Sequence, residues 1–326
     1  MTGRSVATGI AVAGLVGLGL LAVPAGAGAA PVLPPVSPQE LVRSVLEAKP
    51  GPFNGSVEAD NALGLPVLPG MPEIGNGTTR ARVWSGGEHQ GRLQLPAPDG
   101  ERTVVTDGTT FWAWDSRTRE VVTGRADANH DQQPGADPKR VAAEVIDRLS
   151  PSSTLSVDGT AEVAGRPAYE LVLAPQPTER TLLREIRIAV DADKRVPLRL
   201  VVLANGSADP ALRLGFTDIA FGPQDPKLFT FTPPPGASVR NPAPGAPNVP
   251  TRTVGDGWDT VYIAQRTPGQ HQEGRPDPDK LGTPVSGAWG SGRLITSAVG
   301  SVLVADDGRV AAGAVPEQVL TEALTK

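Results

Sequence analysis

The residues that could carry catalysis are few in this sequence. Three histidines occur, each in a polar stretch: His89, His130 and His271. There is no cysteine, no His-x-x-x-His pair, no Gly-x-Ser-x-Gly turn and no glycine-rich phosphate-binding motif. The acidic pairs Asp306-Asp307 and Asp191/Asp193 stand where turns are expected, and Asp commonly bonds its own backbone there. The sequence therefore predicts a protein that is not an enzyme and that holds neither a metal nor a cofactor.

Charge and cysteine content exclude further classes of protein. The 326-residue chain has 30 Lys and Arg against 35 Asp and Glu, a net charge of −5. Nucleic-acid-binding proteins need a basic surface, so this balance argues against a nucleic-acid partner. Without cysteine there is no disulfide framework and no thiolate metal site.

The N-terminus has the pattern of an export signal. Arg4 precedes the apolar run 6–23, which Pro24 ends, and two Ala-x-Ala sites follow at 25–27 and 27–29. Residues 1–29 are therefore predicted to be a cleaved signal peptide, which makes the protein extracytoplasmic, either secreted or associated with the cell envelope. The alternative is an uncleaved membrane anchor, since 18 apolar residues could just span a bilayer.

Two amphipathic helices are predicted before residue 236. Ser37 is a good N-cap, Pro38 suits the first turn and Glu40 completes a capping box. The second helix begins at Asp137-Pro138. Its apolar face consists of Val141, Val145, Ile146 and Leu149.

From Phe53 onward the apolar residues recur with a period of two, which is typical of strands. Strands are predicted near 53–59, 79–84, 90–95, 101–106, 109–115, 119–123, 160–163, 168–174, 184–190, 196–203 and 211–221. Along each strand, only one of the two alternating sets of residues, which we call the apolar parity, is strongly apolar. The strands should therefore be antiparallel, with one face of the sheet exposed to solvent. We expect this apolar parity to line a cavity: Leu171, Leu173, Ile186, Ile188, Leu198, Leu200, Leu212 and Leu214.

The remainder of the chain suggests a second module. The Pro-rich stretch 237–252 is predicted to be a semi-rigid linker. Residues 253–326 should form a small α+β domain with a strand at 258–263, strands at 302–305 and 309–314, and a helix after Pro316.

Several motifs between residues 40 and 236 resemble the bacterial lipoprotein-carrier superfamily, which includes LolA-type carriers and RseB/MucB-type regulators. The clearest is Arg102–Asp115, where an Asp-Gly turn precedes an aromatic strand that ends in Asp. Val163–Tyr169 and Phe229–Pro234 are similar to segments of the regulators and to the end of the family domain.

The resemblance implies a fold and a function. The expected fold is mainly β with α: a strongly curved antiparallel sheet, or half-open β-barrel, with lid helices over 30–236. Its apolar cavity would sequester a lipid or an acyl chain. The alternative is an RseB/MucB-like extracytoplasmic regulator that senses lipid and binds a membrane anti-sigma factor. A structural envelope protein with a filled core is a third interpretation.

Two further features have open interpretations. An apolar segment too rich in Gly and Pro for a helix or strand is either a mobile lid or a loop packed on the core: Leu63, Leu65, Val67, Leu68 and Met71. Trp112 and Trp114 either line the ligand cavity or fill a core, since aromatic side chains bury a large area in both settings.

Overall fold

The computed structural model describes residues 30–64, 76–87, 89–97, 99–125, 146–241, 251–265 and 282–325. In these residues the chain forms two β-sheets and few helices. The predicted signal at 1–29 lies outside the described residues.

The first predicted helix is confirmed. Helix α1 spans Pro38–Glu47, and the Ser37 Oγ accepts a hydrogen bond from the Glu40 N–H at 3.2 Å. This bond satisfies one of the free N–H groups of the first turn. Of the second predicted helix, only 146–149 is described, and it is helical. Val141 and Val145 lie outside the described residues.

The larger sheet contains twelve strands in the described part of the chain. They are β1 (Phe53–Asn61), β2 (Gly77–Gly87), β3 (Gln90–Ala97), β4 (Gly100–Asp107), β5 (Thr110–Asp115), β6 (Glu120–Arg125), β7 (Ser153–Val163), β8 (Arg166–Pro175), β9 (Leu183–Asp191), β10 (Pro197–Ala204), β11 (Pro210–Phe221) and β12 (Ser238–Arg240). Their order is β12-β6-β5-β4-β3-β2-β1-β11-β10-β9-β8-β7. All neighbours are antiparallel except β12, which is parallel to β6. Strand β7 begins well before the predicted 160.

The sheet is strongly curved and does not close. Strands β7 and β11 are four steps apart in the sheet order, which would separate them by about 19 Å in a flat sheet. Their Cα atoms nevertheless approach within 8 Å. The predicted mainly β fold with a curved, open sheet is therefore confirmed.

A second sheet of six strands follows. It contains β13 (Thr251–Val254), β14 (Val261–Gln265), β15 (Thr283–Gly287), β16 (Gly290–Thr296), β17 (Ser301–Ala305) and β18 (Arg309–Gly313), in the order β13-β14-β18-β17-β16-β15. Helix α2 (Glu317–Thr325) packs on it through Leu320 and Leu324. Strands β13, β15 and β16 were not predicted. Trp258 was predicted in a strand, but it precedes β14.

The second module is attached to one end of the large sheet. The contacts join the module to residues near the ends of β1, β7, β8 and β9: Ala298 N–H to Leu63 O, Leu182 N–H to Ala314 O, Trp258 Nε1 to Ser153 Oγ, and Asp259 N–H to Glu179 Oε2. Because the strands are antiparallel, these termini meet at one end of the sheet. The predicted linker 237–252 includes β12 and the start of β13, and its residues 242–250 lie outside the described residues.

Candidate functional site

One face of the large sheet is apolar over most of its width. Leu171 pairs with Ile188, Ile188 with Leu200, and Leu200 with Leu214. Directly paired residues share a face, so β8 to β11 present these side chains to the same side. Seven predicted residues lie on this apolar face: Leu171, Leu173, Ile186, Ile188, Leu200, Leu212 and Leu214.

The apolar face of β8 to β10 is covered by other parts of the chain. Leu171 and Ile188 are buried in a first cluster together with Leu41 of α1, Ile146 and Trp258. The side chains predicted to line a cavity thus contact protein on the side away from the sheet at these positions.

The N-terminal part of this cover has few polar links to the sheet. Leu33 and Val36 pack against the first cluster, and α1 follows them. The Thr160 hydroxyl donates to the Pro31 carbonyl at 2.6 Å, and the Tyr169 hydroxyl donates to the Pro34 carbonyl at 2.9 Å. We call residues 30–47 the N-terminal cover. It is held mainly by apolar contacts, which an apolar ligand could replace.

The apolar face continues beyond the cover and becomes half-buried. Leu214 pairs with Ala59, and the pairing of β1 with β2 and of β2 with β3 carries the same face on to β3. On β3 to β6 this face presents one paired residue from each strand: Leu93, Val104, Ala113 and Val122. We call these four residues, together with Leu212 and Leu214, the apolar strip. Leu93 and Leu214 of this strip pack against a separate buried cluster that includes Val57, Val83 and Phe216.

Leu198 and Leu214 both meet a second cluster. Leu198 is buried in it with Phe53, Val57 and Phe216, and Leu214 packs against it, whereas Leu200 belongs to the first cluster. A register shift between Pro197 and Arg199 interrupts the pairing of β10 with β9 at this point.

Trp112 and Trp114 lie on the opposite face from Leu214. Trp112 pairs with Val105, and continuous pairing through β3 and β2 places both on the side away from Ala59. That side is partly covered by the 3₁₀ helix Pro226–Phe229, whose Phe229 is buried. The two tryptophans therefore do not share a surface with the apolar strip.

The predicted lid segment is described only at its start. The Leu63 carbonyl accepts the hydrogen bond from Ala298 at 2.9 Å, and the Gly64 N–H donates to the Asn76 side chain at 3.0 Å. Its base is thus joined to the second module. Leu65, Val67, Leu68 and Met71 lie outside the described residues.

The strongest electrostatic feature is a buried ion pair at the end of β9. Asp191 is 0% exposed and accepts hydrogen bonds from the Arg166 guanidinium and from the Asp193 and Lys194 N–H groups. Burial raises the pKa of the Asp191 carboxyl, but these hydrogen bonds outweigh it and hold the pKa below its ordinary value. Asp191 is thus the last residue of β9, and its carboxylate holds the turn that follows the strand.

The face opposite the first cluster carries paired charges beside Val201 and Leu203. A groove of about 420 Å³ there has Arg199 bonded to Glu170 at 2.6 Å and Arg187 bonded to Glu185 at 2.7 Å. The two faces of β8 to β10 therefore differ in chemistry, and only the apolar one suits an acyl chain. No helix in the described ranges is long and apolar enough to cross a membrane.

Comparison with known proteins finds similar solved structures, but no match by sequence. No family model and no curated protein matches the chain. A chain of the MucA/MucB complex of Pseudomonas aeruginosa is 17% identical with a TM-score of 0.49, and the match covers 88% of this chain and 96% of that one. A LolA superfamily protein from Nitrosomonas europaea is 12% identical with a TM-score of 0.30, covering 60% and 99%.

An uncharacterised conserved protein from Thermus thermophilus is 15% identical with a TM-score of 0.40, and the match covers 63% of this chain and 98% of that one. The similar structures thus include MucB and a LolA superfamily protein. Similarity at this level supplies no activity, ligand or partner for this chain.

Proposed function

We propose that this chain is an exported, non-enzymatic binding protein that holds an acyl chain against the apolar face of its open sheet. The observation that carries the proposal is the continuity of that face from the first cluster into the half-buried apolar strip. Burying an acyl chain is worth about 0.8 kcal/mol per CH₂ group. A long chain on this face would therefore bind tightly with few polar contacts.

The N-terminal cover provides a route for the ligand to enter. Leu41 and Val45 of α1 pack on the first cluster, while few hydrogen bonds join the cover to the sheet. An acyl chain that displaces α1 replaces the apolar contacts that the sheet loses, so its burial offsets the cost of exposing Leu41 and Val45. The segment 63–71, of which Leu63 and Gly64 are described, is proposed as a second lid.

A second candidate function is regulation through a membrane-protein partner. The docked six-stranded module favours it, because Trp258 of that module is part of the first cluster. A ligand that rearranges the first cluster would therefore change the contacts of Trp258 and so affect the second module directly. The structures similar to this chain include MucB in complex with MucA, and a comparable partner for this chain is a proposal. A specific membrane protein in a pull-down would separate regulator from carrier.

A tryptophan at position 214 should separate a ligand site from a solid core. Leu214 packs against the second cluster but stays half-buried, so the ring of Leu214→Trp should extend over the exposed part of the position and exclude about two to four CH₂ groups of ligand. We expect the affinity for a fluorescent fatty-acid analogue to fall roughly 15- to 200-fold. The melting temperature should stay within a few degrees, because a half-buried position has room for the larger ring.

Two controls define the outcome. Arg213→Trp places the same ring on the neighbouring exposed residue and should leave binding unchanged. Leu171→Trp enlarges a fully buried side chain and should cost about 1–3 kcal/mol by overpacking. If Leu214→Trp is as destabilising as Leu171→Trp, and the wild-type protein does not bind the analogue, the face is a filled core and the proposal is wrong.

A further inference from the structure

Arg195 has an unusual position in the turn between β9 and β10. Its Nη1 is the one buried side-chain nitrogen or oxygen among the described residues that has no hydrogen-bond partner. The residue also adopts a left-handed backbone conformation, with φ of 56°, which is uncommon for a residue with a long side chain. The guanidinium of Arg195 is thus partly buried, and its Nη1 has no hydrogen-bond acceptor within the described ranges.

The guanidinium lies at the margin of the first cluster. Its Cζ is 5.0 Å from the centroid of the Tyr169 ring. Tyr169 is a buried member of that cluster, and its hydroxyl bonds to Pro34 of the N-terminal cover. Arg195 is therefore placed where the apolar face, the cover and the β9–β10 turn meet.

The nearby carboxylates are engaged elsewhere. Asp191 accepts hydrogen bonds from Arg166 and from two backbone N–H groups. Asp193 is 70% exposed and pairs with Lys194 at 3.1 Å. Neither carboxylate therefore accepts a hydrogen bond from the buried Nη1 of Arg195. A buried donor without an acceptor costs free energy, and a ligand that supplies an acceptor would remove this cost.

We propose that Arg195 binds the anionic end group, a carboxylate or a phosphate, of an acyl ligand whose chain lies on the apolar face. The proposal rests on the proposed function and adds the class of ligand: an amphiphile with one negative group at the end of its chain. The planar guanidinium donates in a fork that fits both groups. The Tyr169 ring lies beside the guanidinium, and the Nη1 donor has no hydrogen-bond partner among the described residues.

The arginines of the charged groove are weaker candidates for this role. Arg199 and Arg187 each have a carboxylate partner within 3.5 Å, and they lie on the face opposite the first cluster. A ligand whose chain contacts Leu171 and Ile188 cannot reach them through the sheet. Arg195 combines an unsatisfied donor with a position at the edge of the apolar face.

The test compares three ligands that share one chain and differ in the end group: hexadecanoate, hexadecyl phosphate and hexadecanol. Each displaces the uncharged fluorescent probe N-phenyl-1-naphthylamine from the full-length mature protein at pH 7 and low salt. We expect at least one anion to bind roughly 10- to 100-fold more tightly than the alcohol, as for hydrogen bonds to a charged group. The two anions distinguish a carboxylate from a phosphate source.

Variants then assign the preference to Arg195. Arg195→Met should abolish it while the affinity for hexadecanol stays unchanged, and Arg195→Lys should keep part of it. Arg184→Met, an exposed arginine at the other end of β9, is the control for net charge and should keep the preference.

Equal binding of all three ligands by the wild type would overturn the role of Arg195 and leave the proposed function standing. This comparison needs no variant to fold. A preference that survives in folded Arg195→Met would also overturn it. If the wild type binds none of the ligands, the proposed function fails, and the inference fails with it.

Discussion

Trp258→Ala should lower the free energy of unfolding by about 3–5 kcal/mol, the range for removing a buried aromatic side chain. Trp258 is 2% exposed, and although it belongs to the second module, it packs in the first cluster of the large sheet. Its Nε1 also donates to the Ser153 hydroxyl at 2.9 Å. The loss should separate the two modules, measured as two unfolding transitions in denaturant.

Gly257→Ala tests the same contact without removing the ring. A Cβ at position 257 would lie 2.6 Å from the Glu179 Oε2 and 2.8 Å from the Ser152 Cβ. We therefore expect Trp258 to be displaced and its fluorescence to shift to the red. Gly91→Ala is the matched control, because its Cβ would meet its neighbours at ordinary distances of 3.7 Å and more.

A decrease of less than about 1 kcal/mol in the free energy of unfolding of Trp258→Ala would show that the modules are not joined through Trp258.

Asp191→Asn should cost about 2–4 kcal/mol of stability, because it leaves the Arg166 guanidinium without its carboxylate partner. The estimate lies below that for a fully buried pair, since Arg166 is 26% exposed. Asp193→Asn is the control. Its carboxylate is 3.9 Å from Arg166 and largely exposed, so the change should be below about 0.5 kcal/mol.

The same carboxylate makes stability depend on pH in a defined direction. The pKa of Asp191 is lower in the folded protein than in the unfolded chain, where it is about 3.9. Its contribution is therefore fully present above pH 4 and is lost as the pH falls through the folded-state pKa. Unfolding measured between pH 2 and 6 should show a shallower acid dependence in Asp191→Asn. An identical acid dependence in both proteins would contradict the role given to this ion pair.

Local patterns in the sequence predicted much of the large sheet. Alternation from Tyr169 to Phe216 identified β8 to β11, because each strand has one apolar parity that must be buried. The Asp107-Gly108 turn predicted the β4–β5 hairpin, where Asp107 accepts hydrogen bonds from Thr109 and Thr110.

The parts that failed depend on contacts between distant residues. Alternation sorts the residues of one strand into two sets that point to opposite faces. It does not say which set of a second strand lies on the same face as a given set of the first. Trp112 was grouped with Leu200 for this reason, and pairing across β1 to β5 places it on the other side. Likewise Trp258 looked like a strand residue, and only tertiary packing shows that it enters a cluster formed by another module.

The central claim is that the apolar face holds an acyl chain, and native mass spectrometry of the gently purified mature protein tests it most directly. We expect a species heavier than the protein by the mass of a bound lipid. That species should be lost in Leu214→Trp and retained in Arg213→Trp. A protein that shows only its own mass, both as purified and after incubation with long-chain lipids, would contradict the claim.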